Sequence, residues 1–192
     1  MTIALFGGSF NPPGLHHRHI AELLAKEFDW VKIIPCGMRP DKAIGASPED
    51  RAEMSRLGFA SVAPNVELDL FDVFNPRFTI NAELEERFKK AGETWHVVGT
   101  DLIQGGGIGK SYIQRVWSRG GEMWQTLRFA VLMRPGFSFI PEDLPPHCRL
   151  IQPGFNCSST EIRKRIASGQ PVGELVSANV EKYIKARQLY AS

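Results

Sequence analysis

The chain has 192 residues, and its 23 Lys and Arg side chains nearly balance its 21 Asp and Glu, which leaves a formal net charge of +2. Hydrophobic residues make up 43% and charged residues 23%, an ordinary globular mixture that excludes an intrinsically disordered chain. The balanced charge also argues against a nucleic-acid partner, because nucleic-acid-binding proteins normally gather a basic excess on one face.

The three cysteines, Cys36, Cys148 and Cys157, form an odd and sparse set that fits neither a disulfide framework nor a zinc site. Such cysteines are typical of reduced thiols inside the cell. No apolar run approaches the roughly 18 residues that a membrane helix needs, and the first residues lack a basic leader. We therefore expect a cytoplasmic protein with no membrane partner, and the oligomeric state, a homo-oligomer included, stays open.

Short apolar runs alternate along the chain with segments of helical period. The first strand is expected where an apolar run is stopped by Gly7 and Gly8, and Ser47 with Pro48 marks a helix start. In chain order the predicted elements are a strand at 3–6, a helix at 17–28, a strand at 30–34, a helix at 47–63, a strand at 66–70, a helix at 80–90, strands at 95–98, 129–133 and 150–151, and helices at 158–167 and 177–190.

This alternation predicts one α/β domain over residues 1–192, with a mainly parallel sheet. The last segment, 158–192, is predicted to be helical and to pack on the same sheet as a small subdomain.

A glycine-rich turn, GGSFNPPGLHH, follows the first predicted strand. Gly7 and Gly8 let backbone amides approach a phosphate, and a helix that begins near His16 or His17 points the positive end of its dipole to the same place. In a parallel sheet, ligands bind at this carboxyl edge of the strands. The alternative is an ordinary glycine turn followed by surface histidines, and spacing alone does not separate the two.

The motif CSSTEIR near the end of the chain predicts a second phosphate-binding segment. Ser158 and Glu161 have the spacing of a capping box, which explains these two residues structurally. A capping box does not account for Ser159, Thr160 and Arg163 together. Hydroxyls and free amides in a first helical turn, with an arginine one turn along, are suited to binding an anion.

The first motif resembles that of the nucleotidylyltransferases with an H-x-G-H signature, and the nicotinate and nicotinamide mononucleotide adenylyltransferases are the most similar group. Their pattern, G-G-[ST]-F-[DN]-P-x-H-x-G-H, matches residues 7–12 and places His17 on the second histidine. The first histidine position holds Gly14, and the glycine position holds His16. A two-residue insertion would instead pair His16 and His19 with the histidines of the family.

The second motif resembles the family's I-S-S-T-x-I-R, with Cys157 in place of Ile. The resemblance implies a Rossmann-like α/β fold with helices on both faces of the sheet and a small helical C-terminal segment. It also implies transfer of an adenylyl group from ATP to nicotinate mononucleotide, with release of pyrophosphate, in NAD biosynthesis. The ATP-binding residues that it implies are Gly7, Gly8, Ser9, Phe10, His16, Ser158, Ser159, Thr160 and Arg163.

Between the two motifs the resemblance implies one further ATP-binding residue and four that bind the mononucleotide. Lys42 stands where the family has a triphosphate-binding lysine, although a lone lysine is usually a solvated surface residue. Thr79 lies in the family's pyridine-nucleotide segment or simply caps the next helix. Gly99 and Asp101 match the family's G-x-D, and Trp117 either stacks on the nicotinate ring or is a core side chain.

The segment GGGIGKS between Asp101 and Trp117 resembles a P-loop, but the pattern needs a glycine where this chain has Gln104. We interpret the segment as a flexible loop that closes over the substrate, and we do not expect a kinase.

The expected catalysis is positioning and charge neutralisation, since the sequence offers no convincing nucleophile. His17, Lys42 and Arg163 are the expected catalytic residues, because they would oppose the negative charge of the phosphates. Mg²⁺ is expected to enter with ATP, with no dedicated metal site in the protein. The displaced first histidine leaves two alternatives open: transfer to another phosphate acceptor, and nucleotide binding without turnover.

Overall fold

In the part of the chain that the structure describes, six strands form one sheet in which every neighbouring pair is parallel. The computed structural model describes residues 1–37, 45–134, 136–137, 139–154 and 157–191. The strands are β1 (Thr2–Gly8), β2 (Trp30–Pro35), β3 (Val66–Leu68), β4 (Glu93–Gly99), β5 (Arg128–Leu132) and β6 (Cys148–Ile151). Their order is β3-β2-β1-β4-β5-β6, so the direction of chain progress reverses between β1 and β4, where ligands bind in such sheets.

Helices connect these strands and follow them at the end of the chain. They are α1 (Leu15–Glu27), α2 (Pro48–Gly58), α3 (Asn81–Phe88), α4 (Tyr112–Val116), α5 (Gly120–Thr126), α6 (Ser159–Ala167) and α7 (Ala178–Ala186). The sequence did not predict α4 and α5, because helices of five and seven residues are too short to show a helical period.

Both faces of the sheet are covered by helices. Successive strand residues point to opposite faces, and on β1 Ala4 packs with Ala21 and Leu24 of α1. On the other face Leu5 packs with Leu84 of α3. The β5 strand alternates in the same way, and the residues of its second face pack against α4 and α5. The predicted Rossmann-like fold with a parallel sheet and helices on both faces is confirmed.

The C-terminal helices pack chiefly against α2. Ile162 of α6 and both Val180 and Ile184 of α7 share one buried cluster with Met54 of α2. Polar contacts strengthen the same junction, since Asp50 of α2 accepts hydrogen bonds from two side chains of the α7 region. We call this set of three helices the C-terminal helical cluster. Helices α6 and α7 confirm the small helical segment predicted at the end of the chain, although it packs chiefly against α2 and not on the sheet as expected.

Helix α2 ends at Gly58, five residues before the predicted end at residue 63. Phe59 follows as the C-cap and turns its ring into the core. The guanidinium of Arg18, on α1, donates to the carbonyls of Ala60 and Ser61 at 2.8 and 3.2 Å. These bonds satisfy carbonyls that a continued helix would otherwise pair, so the tertiary contact ends the helix early.

Two other predicted boundaries were wrong. The closing helix was expected to reach Tyr190, but α7 ends at Ala186. Thr79 was one candidate cap of α3, but the N-cap residue is Ile80, whose side chain makes no capping hydrogen bond. Across the described ranges, no helix is both long enough and apolar enough to cross a membrane.

Candidate active site

The carboxyl end of β1 presents two glycines that differ in their surroundings. Gly7 is exposed, and a Cβ atom there would meet nothing closer than the carbonyl oxygen of Ile34, at 4.0 Å. At Gly8 a Cβ atom would lie 2.9 Å from the ring of Phe10. Packing therefore requires glycine at position 8 but not at position 7, where the backbone stays open to a ligand.

Phe10 is a core residue inside the first motif. Its φ of 42° turns the ring back beneath the loop, where only 2% of the residue is exposed. The ring makes edge contacts with Phe6, Phe59 and His17, with centroid distances of 5.4, 5.0 and 5.1 Å. The side chain of this predicted ATP-binding residue is therefore occupied in packing, and only its backbone is available to a nucleotide.

His17 lies in the first turn of α1 and has a fixed orientation. Its Nδ1 accepts a hydrogen bond from the backbone N–H of Gly14, the N-cap residue, at 3.1 Å. Burial, the neighbouring His16 and the charge of Arg134 hold the pKa of His17 well below its ordinary value of 6.5. A neutral ring with an accepting Nδ1 carries its proton on Nε2, which makes His17 a neutral N–H donor.

His16 stacks beside His17, with a centroid distance of 3.8 Å between the rings. His16 is 8% exposed, and its Nδ1 has no hydrogen-bond partner among the described residues. Burial and the positive charge of Arg134 lower its pKa to about 4. His19 points elsewhere, because its Nδ1 is 3.8 Å from Glu22 at an exposed position. The paired rings at 16 and 17 favour the ungapped alignment over the insertion.

Helix α6 brings the second motif against the loop after β1. The Ser159 hydroxyl donates to the carbonyl of Pro12 at 2.8 Å, and Arg163 donates to the carbonyl of Asn11 at 2.7 Å. Arg163 also donates to the hydroxyl of Thr160 at 3.2 Å. Two segments that are far apart in the sequence therefore meet at one edge of the sheet, as the sequence predicts.

Ser158 is the N-cap residue of α6, and its hydroxyl accepts from the backbone N–H of Glu161 at 3.2 Å. The predicted capping box is wrong in its second half. The Glu161 carboxylate does not return to Ser158 but accepts from Arg165 at 3.0 Å. Ser158 is exposed, so its hydroxyl lies at the surface of this helix end.

The ends of β4 and β5 are tied by an ion pair. Asp101 and Arg134 approach to 3.2 Å, and the backbone N–H of Arg134 donates to Thr100 at 3.1 Å. A Cβ atom on Gly99 would lie 2.2 Å from Asp101 and 2.6 Å from Arg134, so glycine is required there. The structure places two predicted mononucleotide-binding residues, Gly99 and Asp101, at the same edge as the histidines.

Trp117 and Thr79 have protein partners of their own. Trp117 is half-buried beside Phe129, with ring centroids 6.3 Å apart. The Thr79 hydroxyl donates to the buried Asp72 at 2.9 Å and accepts from Asn75 at 3.3 Å. Packing therefore accounts for part of Trp117, and hydrogen bonding inside the protein accounts for the hydroxyl of Thr79.

The glycine segment that resembles a P-loop forms a short turn packed against the protein. A Cβ atom on Gly106 would lie 2.4 Å from Trp124, and the Gly106 carbonyl accepts from Gln114 at 3.2 Å. The N–H of Gly107 donates to Asp143 at 3.3 Å. Close packing therefore explains Gly106, whereas Gly105 and Gly109 have left-handed φ angles of 80° and 71°. Lys42, the remaining predicted catalytic residue, lies outside the described residues.

Sequence reasoning missed two residues of this region, Arg134 and Tyr190, and it indicated a structural role for Arg51, which matches an arginine common in the resembled family. Arg134 follows the buried strand β5, and that position at the carboxyl edge was the signal that could have found it. Arg51, which is 2% exposed, donates to the carbonyls of Cys36 and Ser9 and so ties the loops after β2 and β1 together. Tyr190 donates to the side chain of Asn11, a contact that no sequence signal indicates.

Comparisons with known proteins identify the family of the chain. Residues 5–165 match the model of the cytidylyltransferase-like family. A relative from Cellvibrio japonicus, named as a probable nicotinate-nucleotide adenylyltransferase, is 31% identical over 217 residues, which cover 98% of this chain and 98% of the relative. The nicotinate-nucleotide adenylyltransferase of Bacillus subtilis is 29% identical over 202 residues, with coverage of 99% and 98%.

A solved structure of Plasmodium falciparum nicotinic acid mononucleotide adenylyltransferase, complexed with NaAD, has a TM-score of 0.79 to this chain. Its sequence is 19% identical, and the match covers 98% of this chain and 97% of that one, so the likeness concerns the fold. The family model and the relatives confirm the family that the two motifs resemble. The chain belongs to the cytidylyltransferase-like family, among its nicotinate-nucleotide adenylyltransferases.

Proposed function

We propose that this chain transfers the adenylyl group of ATP to nicotinate mononucleotide, forming the dinucleotide and pyrophosphate, as a step of NAD biosynthesis. The names of the full-length relatives support this reaction. The two Plasmodium falciparum structures of the same fold, one complexed with NaAD and one with APC, are consistent with it.

The observation that carries the proposal is the junction between the loop after β1 and the first turn of α6. The hydrogen bonds from Ser159 to Pro12 and from Arg163 to Asn11 hold the two segments together. This junction assembles a helix N-terminus, hydroxyls and a guanidinium beside the histidines of α1. Such groups neutralise and orient a triphosphate.

The chemistry needs no protein nucleophile, because a phosphate oxygen of the mononucleotide attacks the α-phosphorus of ATP in line. The protein contributes orientation and opposes the negative charge that develops on the phosphates. We assign His17 and His16 to the phosphates near the reacting centre, with the Nε2–H of His17 as a neutral donor. Arg163 and Lys42 are assigned to the triphosphate. Among the described residues, two of the five N–H donors of Arg163 bond to protein oxygens, and the other donors are proposed to bind the anion.

The remaining ATP contacts are assigned to backbone and hydroxyl groups of the two motifs. The exposed backbone at Gly7 and the first turn of α6 suit close approach by phosphates. The residues assigned to this role are Gly7, Gly8, Ser9, Phe10, Ser158, Ser159 and Thr160.

The mononucleotide is assigned to the ends of β4 and β5. Asp101 is a hydrogen-bond acceptor for ribose hydroxyls, and Trp117 offers a partly exposed ring for stacking on the nicotinate. Gly99 leaves the space that the side chains of Asp101 and Arg134 occupy. Thr79 contributes through its backbone, because its hydroxyl is bonded within the protein.

Mg²⁺ is proposed to arrive with ATP and to be held by phosphate oxygens and water, as is usual for this ion. Within the described ranges, no three His, Cys, Asp or Glu side chains are grouped so that they could hold a metal ion. Mg²⁺ would supply further charge neutralisation on the phosphates. The cytoplasmic location, a single domain over residues 1–192 and the assembly state stay predictions.

The test is a pyrophosphate-release assay with ATP or CTP, each against nicotinate mononucleotide, nicotinamide mononucleotide and other phosphate acceptors. We expect release with ATP and nicotinate mononucleotide, and a much lower rate with CTP. Release with another acceptor alone would replace the proposed substrate. ATP binding without pyrophosphate release in any pairing would contradict the proposed reaction. It would favour a nucleotide-binding protein without turnover, the alternative that the displaced histidine at position 16 suggests.

A further inference from the structure

The end of the chain folds back onto the loop after β1. Helix α7 ends at Ala186, and the non-glycine residues Gln188 and Tyr190 then take left-handed φ angles of 52° and 64°. Residues with a Cβ atom adopt this conformation at some cost in free energy. The result of this turn is that the Tyr190 hydroxyl donates a hydrogen bond to Oδ1 of Asn11.

Asn11 is held at both of its oxygen atoms. Tyr190 donates to the side-chain oxygen, and Arg163 donates to the backbone carbonyl at 2.7 Å. Asn11 is 5% exposed, so a side-chain oxygen left without a donor would be costly. Burial raises the pKa of Tyr190 above its usual value, which keeps its O–H protonated and donating.

Tyr190 and Arg163 also line an open surface depression of about 350 Å³, whose other lining residues are Thr160, Lys164 and Ala167. The depression therefore carries two cationic side chains beside the loop. Since Arg163 bonds to the backbone of the residue that Tyr190 holds, the position of its guanidinium depends on both contacts.

We propose that Tyr190 is a positioning residue for ATP: its hydroxyl fixes Asn11, and Asn11 in turn holds the Arg163 guanidinium towards the triphosphate. The inference rests on the proposed function in assigning the triphosphate to Arg163. Tyr190 acts through the loop and does not take part in the transfer itself.

The experiment compares Tyr190→Phe with Tyr183→Phe in the full chain. Tyr183 lies on α7 and donates to Asp50 at 2.9 Å, so its variant also loses one hydroxyl from the C-terminal helical cluster but leaves the loop untouched. For each variant we would measure ATP affinity by calorimetry without acceptor, KM for ATP and for nicotinate mononucleotide, kcat, and the urea midpoint of unfolding.

We expect Tyr190→Phe to weaken ATP binding about tenfold, because Asn11 would no longer hold the Arg163 guanidinium in place, and to raise KM for ATP with KM for the mononucleotide unchanged. Tyr183→Phe should lower the urea midpoint and leave ATP binding within twofold of the wild type. Asn11→Ala should weaken ATP binding, and adding Tyr190→Phe to it should weaken binding no further.

Several outcomes would overturn the inference. These are unchanged ATP affinity in Tyr190→Phe, equal losses of ATP affinity in the two tyrosine variants, and additive effects of Asn11→Ala and Tyr190→Phe. A wild-type chain that binds ATP but releases no pyrophosphate would refute the proposed reaction alone, since the ATP affinities would still decide the role of Tyr190. A wild-type chain that does not bind ATP would refute both.

Discussion

The imidazole of His16 lies over Gly14, so close that a Cβ atom on Gly14 would come within 2.6 Å of the ring's Nδ1. Gly14 itself has an extended backbone, with φ of −97° and ψ of 171°, which any residue can adopt. Glycine is therefore needed at position 14 to admit the ring of His16, and not for backbone freedom. The ring occupies the space where a side chain at position 14 would begin.

The contact between Gly14 and His16 predicts the effect of exchanging the residues at these two positions. Gly14→Ala should lower the free energy of unfolding by about 1–3 kcal/mol, because its Cβ atom would also meet Ile162 at 2.9 Å. Gly14→His should lower the free energy of unfolding further. The double variant Gly14→His with His16→Gly removes the obstructing ring and restores the histidine order of the family. We expect its pyrophosphate-release rate to exceed that of either single variant.

The control is His16→Gly alone, which removes the imidazole without replacing it. A double variant as slow as Gly14→His would contradict the idea that His16 occupies the place of the motif's first histidine.

A second prediction concerns the loss of stability at acidic pH. The pKa of His16 is lowered from 6.5 to about 4 by burial and by Arg134, so between these values the unfolded chain binds a proton that the folded chain does not. Stability must therefore fall as the pH drops from 6.5 towards 4, by up to roughly 3 kcal/mol for this residue. Urea unfolding at pH 7 and pH 5 measures the loss, and His16→Gln should reduce it.

Arg134→Gln provides the companion measurement. Without this positive charge the pKa of His16 should rise, as read from the imidazole signals in an NMR titration. An equal loss of stability between pH 7 and pH 5 in the wild type and His16→Gln would show that His16 does not titrate as we expect.

A third prediction separates the two glycines at the end of β1. Gly7→Ala should change the free energy of unfolding by less than about 0.5 kcal/mol, because the added Cβ atom meets nothing closer than 4.0 Å. It should nevertheless raise KM for ATP at least tenfold, because the methyl group would stand where a phosphate approaches. Scanning calorimetry measures the change in the free energy of unfolding, and steady-state kinetics measures the change in KM for ATP.

Gly8→Ala is the matched control, since its Cβ atom would lie 2.9 Å from the ring of Phe10. We expect this variant to lose about 1–3 kcal/mol of stability. Normal ATP binding by Gly7→Ala would mean that the exposed backbone at Gly7 does not face the nucleotide.

The sequence predicted every strand of the sheet, because each one is a short apolar run with a clear stop. It also predicted the helices that have an amphipathic pattern of several turns. It did not predict where α2 ends, because that boundary depends on Arg18, a residue of another helix that donates to the carbonyls of Ala60 and Ser61. Local patterns cannot report contacts across 40 residues.

In the candidate site, too, local patterns predicted the segments but not the contacts between distant residues. Residue types and spacing identified the two motifs, and with them the meeting of the loop and α6. They did not identify which protein oxygens Arg163 contacts, nor that Phe10 is committed to the core, because both depend on the path of the loop. Arg134 lies near the histidines only because β5 is placed beside β4, a fact of topology and not of pattern.

The contacts that shape the loop after β1 join residues very distant in sequence: Ser159 with Pro12, Arg163 with Asn11, and Tyr190 with Asn11, at separations of 147, 152 and 179 residues. Bringing such remote partners together costs chain entropy before any bond rewards it. We therefore expect this junction to form late during folding, after the sheet. A nucleotide that binds only the finished junction would then bind later during refolding than the circular dichroism signal of the strands and helices returns. Nucleotide binding would therefore be the better measure of complete folding.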